Sequence, residues 1–370
     1  SETNVTNALS GQVAGLQVMR SSNGPAGSSK INIRGNNSLT GDNQPLIVID
    51  GVPVDNSGGA NADFWNPTQD TGNGLGDINS NDIETISVLK GASAAALYGS
   101  RGGNGVILIT TKTGRQSDGL GITYSATLGT TNTFMAPDMQ NVFGQGSEGI
   151  FDPVSGSSWG PKAEGQTVTD WEGKQVPLNT HDNIDNFYEG GFTQDHSLSF
   201  QNRISNGTSL YTSANYLNDQ SNIPGSTLER LNLTSRAVSV FGKTDNWTVD
   251  TKIQYINTIA NNRPINGQND RNSFGTIATL PRSLDIREFK DHTDEFGNMI
   301  WWSEGNGSNP YWAANNALSN DKRNRFILTG MLKNQINDWL SAEVRGGADI
   351  HNTVLDSKLY AGGRNSVTGR

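Results

Sequence analysis

The sequence predicts a membrane protein of the all-β class: a run of antiparallel transmembrane β-barrel wall, preceded by a small α+β domain. Three observations carry this. Strands of about ten residues with period-two alternation recur from Gly119 to the end of the chain. Tight turns and long connections take turns between those strands. The first 115 residues follow a different grammar, with short strands and short helices mixed.

The alternation can be read strand by strand. Ile122, Tyr124, Ala126 and Leu128 alternate with Thr123, Ser125 and Thr127. Leu198, Phe200 and Ile204 alternate with Ser197, Ser199, Gln201 and Arg203. Leu210, Thr212, Ala214 and Tyr216 alternate with Tyr211, Ser213 and Asn215. Leu231 to Phe241 forms a fourth strand whose alternation is muddier. Trp247, Val249, Thr251, Ile253 and Tyr255 alternate with Thr248, Asp250, Lys252 and Gln254. Phe326, Leu328 and Leu332 mark a sixth strand. Leu340, Ala342, Val344 and Ala348 mark a seventh, with Ser341, Glu343, Arg345 and Asp349 on its other face. An apolar row backed by a polar one is what a strand needs between lipid and a wet lumen.

The connections support the same reading. Asn206–Gly207, Thr244–Asp245–Asn246 and Asn337–Asp338 are tight turns. The connections at about Asn132–Gln194, Asp219–Glu229 and Ala260–Arg325 are long. Outer-membrane barrels have short periplasmic turns and long extracellular loops, so strand one runs outward. A soluble sandwich or solenoid also alternates, but two such long loops are unusual in a compact soluble domain.

Composition agrees. Only 33% of the 370 residues are apolar, yet a barrel hides its membrane signal because lipid-facing and lumen-facing residues average out. No stretch reaches the roughly 18 apolar residues of a spanning helix. A net charge of −9 argues against binding nucleic acid, and zero cysteines exclude disulfides and thiolate metal sites.

In the first 115 residues, Ala8–Gly15 reads as a short helix and Lys30–Arg34 as an alternating strand. Pro45–Asp50 is a continuous apolar strand ended by Gly51. Ile83–Leu89 is a strand, followed by Gly91 and an Ala-rich helix at Ala92–Tyr98. Val106–Lys112 is a last β-branched strand.

Four ordered segments here carry a resemblance. They are Ala8-Leu-Ser-Gly-Gln-Val-Ala-Gly-Leu-Gln-Val18, Ile31-Asn-Ile-Arg-Gly-Asn-Asn-Ser-Leu39, Pro45-Leu-Ile-Val-Ile-Asp-Gly-Val-Pro-Val54, and the run Ile78 to Val106 with its Leu-Lys-Gly-Ala-Ser-Ala-Ala-Ala-Leu-Tyr-Gly-Ser-Arg-Gly-Gly core. Together they resemble the plug of SusC/RagA-family TonB-dependent outer-membrane transporters. The resemblance implies a plug at residues 1–115 inside an antiparallel barrel of about 22 strands, of which residues 116–370 supply the first part. Because an open sheet would leave unpaired edges in lipid, the expectation is that further barrel strands complete it. The resemblance further implies the outer membrane of a Gram-negative bacterium, contact with its lipid, and import of an oligosaccharide or peptide. It implies a SusD-like lipoprotein lid and TonB acting through a segment upstream of Ser1. It implies no enzyme activity and no cofactor. The alternatives are a siderophore or cobalamin receptor of the same fold, and a non-transporting surface binding or adhesion protein.

Two groups of residues are candidates for function. Arg34, Asp50, Glu84, Lys90 and Arg101 could hold the plug shut, through one another or through lumen-facing Asp250, Lys252, Glu343 and Arg345. Phe64, Trp65, Trp159, Trp301, Trp302 and Trp312 could stack on substrate, with Trp171 and Tyr311 nearby in sequence, although packing within the loops is the commoner role of such aromatics.

Other signals carry less. Gly156-Ser-Ser-Trp-Gly160 matches the serine-hydrolase elbow but lacks its strand–turn–helix setting. Asp77-Ile-Asn-Ser-Asn-Asp82 begins like a calcium loop but has Asp82 where the turn glycine belongs and Val88 where the closing Glu belongs. No calcium motif therefore supports a structural ion in the loops. His181, His196, His292 and His351 are scattered without metal-ligand spacing.

Overall fold

The computed structural model describes residues 15–20, 27–33, 35, 43–56, 69–114, 120–133, 135–205, 207–265, 267, 269, 272–303, 305 and 307–363. The helix expected at 8–15 falls almost wholly outside them.

The N-terminal unit is the expected α+β domain. A hairpin, β1 (Leu16–Arg20) and β2 (Ser29–Ile33), stands beside a four-stranded sheet. That sheet has β3 (Leu46–Ile49), β4 (Val52–Val54), β5 (Ile83–Leu89) and β6 (Val106–Thr111) in the order β4-β3-β6-β5. β3 runs parallel to β6, and the other pairs are antiparallel. The crossover that the parallel pair β3–β6 requires runs through β4, β5 and helix α1 (Ala92–Tyr98). The apolar run of β3 is continuous because both of its faces are covered. Ile47 and Ile49 join Ile31, Ile33, Ile107 and Ile109 on one side, while Val48 packs with Ala94 and Val106 on the other.

The C-terminal unit is a seven-stranded antiparallel meander. Its first strand is β7 (Ile122–Thr131). A small loop hairpin follows, β8 (Thr167–Thr169) and β9 (Gln175–Pro177). The wall then continues through β10 (Gly191–Ser205), β11 (Thr208–Gln220), β12 (Thr227–Phe241), β13 (Trp247–Asn261), β14 (Ala317–Asn337) and β15 (Leu340–Leu359). All seven expected strands are present in the expected order. β7 has the expected ten residues, but the other wall strands are longer, reaching 21 in β14 and 20 in β15. This lengthening corrects one connection. The stretch read as a long loop at 219–229 shrinks to 221–226, because β11 and β12 stay paired out to Gln220 and Thr227.

The two faces of the wall differ as the alternation implied. Leu198, Ile253, Phe326 and Val344 point away from the N-terminal domain and are exposed. Lys252, Arg236, Arg230 and Arg325 point toward it and are buried. Among the described residues no helix is long and apolar enough to cross a membrane, which says nothing against strands.

The two long connections fold against each other into one cap. It carries α2 (Asn183–Phe187), α3 (Ser273–Thr279) and α4 (Pro310–Asn316). Phe187 and Ile184 from the first connection share a core with Ile277, Leu284, Ile286 and Phe289 from the second. Polar side chains knit the two. The fully buried Asn183 donates to the Leu284 carbonyl at 2.9 Å and accepts from Ile286 N–H at 3.0 Å. Asn309 caps α4 by accepting from Tyr311 N–H and Trp312 N–H, while its amide donates to the carbonyls of Phe289 and Ile300.

Candidate functional site: the plug face of the barrel wall

The N-terminal domain lies against the polar face of strands β11–β15, and charge organises the contact. Asp50 sits at the turn after β3, at φ +49°, a conformation that Asp tolerates. Its carboxylate accepts from Lys252 Nζ at 2.6 Å and from an Arg236 terminal nitrogen at 2.8 Å. It also accepts from Thr111 N–H at 2.9 Å and Thr111 Oγ1–H at 2.8 Å. Arg236 in turn grips Asp250 at 2.7 and 3.0 Å and donates to the Thr111 carbonyl at 2.7 Å. Arg345 donates to the Asp50 carbonyl at 2.9 Å. Burial alone would raise the Asp50 pKa, but Lys252 and Arg236 outweigh it and hold the carboxyl below its ordinary value.

A second group of contacts grips residues 69–82. Arg325 donates to the Gly74 carbonyl at 2.7 Å, to the Asp55 carbonyl at 2.8 Å and to Asp77 at 3.2 Å. It stays paired with Asp349 on the neighbouring strand at 2.7 and 2.8 Å. Arg323 reaches Asp77 at 3.1 Å and the Thr71 carbonyl at 3.2 Å. Arg230 donates to the Gly76 carbonyl. Asp82 accepts from Tyr211 Oη–H at 2.8 Å and from Thr234 Oγ1–H at 2.9 Å. Below this polar layer, Leu75 and Ile78 share one apolar core with Ile256 and Ile327 of the wall.

The structure therefore brings together Asp50, Asp250, Lys252 and Arg345 from the gating candidates and their suggested partners. Glu343 pairs with Arg345 at 2.9 Å. Glu84 and Arg101 are exposed, Lys90 is half-buried, and none of the three belongs to the Asp50 cluster. Arg101 instead lines a cavity of about 600 Å³ with Ser100, Asn104 and Asp55. Arg34 lies outside the described residues. Sequence reasoning missed Arg230, Arg236, Arg263, Arg323 and Arg325. A usable signal was there: Arg230 and Arg236 hold the inward phase of the fourth strand, which looked muddy because Leu228 and Val238 share that phase.

Close backbone approach adds to the fit. A Cβ at Gly347 would lie 2.7 Å from Val52 Cγ1. Gly347→Val should therefore wedge β4 off the wall and destabilise the plug–wall contact by about 1–3 kcal/mol. Protease sensitivity of the plug in the full-length protein reads this out, and an unchanged digestion rate would mean the contact is loose.

The aromatic candidates separate by location. Trp301, Trp302 and Trp312 are 4, 3 and 3% exposed inside the cap core, so in this arrangement they support the cap and offer no stacking face. Burial pushes the Tyr311 phenol up to about 12. Trp159 is 61% exposed and tilts on Phe143 with ring centres 5.7 Å apart. Phe64 and Trp65 lie outside the described residues. Trp312→Ala should cost about 3–5 kcal/mol of cap stability, as expected for a truncated core aromatic. Trp159→Ala should leave cap melting unchanged. Thermal unfolding of the two variants followed by near-UV circular dichroism checks the contrast, and equal shifts would refute it.

The sequence signals set aside earlier have structural explanations. The Gly156–Gly160 stretch lies in irregular cap structure, where Ser158 Oγ accepts from Arg282 N–H at 3.1 Å. Asp77 and Asp82 spend their oxygens on wall donors. Among the described residues no group of three or more His, Asp or Glu is arranged to hold a metal.

A small α+β domain seated on the polar face of a seven-stranded antiparallel wall defines a plug-and-partial-barrel fold. The TonB-dependent Receptor Plug Domain family matches residues 1–106. The chain is 39% identical over 173 residues to the TonB-dependent receptor SusC of Bacteroides thetaiotaomicron, covering 46% of this chain and 16% of that protein. It is 32% identical over 341 residues to the TonB-dependent receptor P26 of Formosa agariphila, covering 87% of this chain and 29% of the relative. The solved RagAB peptide transporter superposes with a TM-score of 0.67 at 22% identity, over 96% of this chain and 40% of that one. The N-terminal part thus matches the TonB-dependent receptor plug family, and the chain as a whole is similar to SusC/RagA-type TonB-dependent receptors. It spans less than a third of the length of these two curated relatives.

Proposed function

We propose that residues 1–115 are the plug, and 116–370 the first wall strands, of an outer-membrane importer in a Gram-negative bacterium. Its cargo is a large nutrient, an oligosaccharide or a peptide, captured under a SusD-like lipoprotein lid. TonB supplies the work by pulling a segment upstream of Ser1, and further strands of the same protein close the barrel in lipid. The observation that carries this reading is the Asp50 cluster. A plug carboxylate is held by Lys252 and Arg236 of the wall, so the seal is made of charge pairs that a wet lumen can rehydrate when they part. A hydrophobic seal of the same area would resist rehydration. The relative SusC is a TonB-dependent receptor, and RagAB, similar in fold, is a peptide importer.

The test is purification of the full-length protein from outer membranes in mild detergent, followed by mass spectrometry of whatever accompanies it. The expected result is a surface lipoprotein together with a bound glycan or peptide. Energised cells should also accumulate that cargo, and a protonophore should stop them. A chain recovered without partner or cargo, in cells whose uptake ignores the protonophore, would sink the proposal.

A further inference from the structure

The two sets of plug–wall contacts differ in kind. The Asp50 lock consists of one carboxylate and one carbonyl at the tip of the β3–β4 turn. When that turn leaves, Arg236 keeps Asp250 as a bidentate partner, and Lys252 is the cation that loses its counterion. A cavity of about 340 Å³ already opens beside the lock, lined by Tyr98, Thr110, Thr329, Met331 and Arg345. The turn therefore has space next to it, through which water can follow and rehydrate the Lys252 ammonium as the pair parts.

Residues 69–82 are held differently. Three wall arginines, Arg230, Arg323 and Arg325, and Arg263 just past the end of β13 donate to backbone carbonyls at Thr71, Gly74 and Gly76. Backbone acceptors cannot rotate away as a side chain can, so these bonds break only if the whole segment moves. The same segment is bonded by its side chains as well. Gln69 meets Ser319 at 2.5 Å and Asp321 at 3.4 Å, and Asp82 meets two wall hydroxyls. Leu75 and Ile78 are buried in an apolar core shared with the wall residues Ile256 and Ile327, and Ile49 and Val54 flanking the lock turn enter the same core, so what distinguishes the collar is its arginine-held backbone. Lifting this segment would expose that core and strand several buried guanidiniums at once.

We propose that Gln69–Asp82 is a fixed collar, which stays on strands β11–β14 while the plug opens by release of the β3–β4 turn and its Asp50 lock. This rests on the transporter reading above and adds which part of the plug moves. The solute path then runs along the wall at β12–β15, beside the lock cavity, while the collar shields the rest of the wall.

Cysteine accessibility tests it. This chain has no cysteine, so each introduced thiol is unique within it. The full-length transporter, with any cysteine elsewhere replaced, would carry either Leu108→Cys or Leu75→Cys. Leu108 lines the lock cavity with Val48 and Tyr98, on the opposite face of β6 from the core that holds Leu75. Leu108 is half-buried and Leu75 is fully buried. Cells would be treated with a small water-soluble maleimide, with and without a protonophore. The expected result is that energisation raises labelling of Leu108→Cys about tenfold or more and leaves Leu75→Cys at its protonophore-treated rate. Energised labelling of both positions would overturn the collar while leaving the transporter reading intact. No response to energisation at either position would overturn the proposal together with the reading beneath it. Tethers give an independent check. A Val52→Cys/Gly347→Cys disulfide, at positions close enough for one, should abolish the energised labelling of Leu108→Cys. An Asp82→Cys/Thr234→Cys pair joined by a short bifunctional thiol reagent should leave that labelling in place. The reverse pattern would overturn the assignment of fixed and moving parts.

Discussion

Asp50→Asn should give a loosened plug and a leaky outer membrane. The substitution keeps the shape and one acceptor for Thr111, but it removes the charge that neutralises Lys252 and Arg236. Lys252 then remains as a buried ammonium without a counterion, since its side chain is wholly inaccessible and Asp50 is its ion-pair partner. Breaking one side of a buried pair costs about 3–5 kcal/mol, mostly the penalty of the stranded charge. The double variant Asp50→Asn/Lys252→Met should recover much of that loss, because it removes the stranded charge as well. Susceptibility of cells to a large glycopeptide antibiotic, together with protease sensitivity of the plug, reads both variants. Wild-type values for Asp50→Asn in both assays would rule out the lock. The pH dependence has a definite sign. The folded carboxyl titrates below its ordinary value, so its contribution is fully present above about pH 4 and is lost as pH falls through the lower folded value. Wild-type plug stability should fall on acidification there, and the Asn variant should lack that component.

Arg325→Met should be at least as damaging, by about 3–5 kcal/mol, and through a different route. Arg325 serves two carboxylates and two carbonyls at once, on the plug and on the adjacent wall strand. Removing it leaves Asp349 and Asp77 facing each other's field and orphans the Gly74 carbonyl. Arg325→Lys should not rescue it, because one ammonium cannot reproduce a planar fork that reaches in four directions. Thermal unfolding of the purified full-length protein checks both variants. A lysine variant that melts like the wild type would show that charge alone suffices at this position.

The fold class, the seven strands and their order were all legible in the sequence. Period-two alternation is local, and a strand between lipid and lumen must show it whatever its neighbours do. The faces were also legible: Ile253 and Lys252 fell on opposite sides because adjacent side chains must. Strand length was not, since β14 and β15 continue well past the alternating core through residues such as Asn324 and Asn352, whose polarity resembles that of a loop. Pairing to a neighbour, which is a tertiary matter, keeps them extended.

The candidate site was only partly legible. Asp50 and Lys252 were visible as ionisable residues in suggestive places, but 202 positions separate them, and nothing local joins them. The aromatics show the reverse problem. Trp301-Trp302 in a polar loop suggests a binding face, yet two loops remote in sequence close over them into a core. The sequence by itself determined which residues alternate, where the chain turns and which family it resembles. The tertiary structure decided which charges meet, which carbonyls the arginines hold and which tryptophans are buried. Those outcomes depend on how the plug docks in the wall and how the loops pack on each other, and such long-range contacts leave no period in the chain.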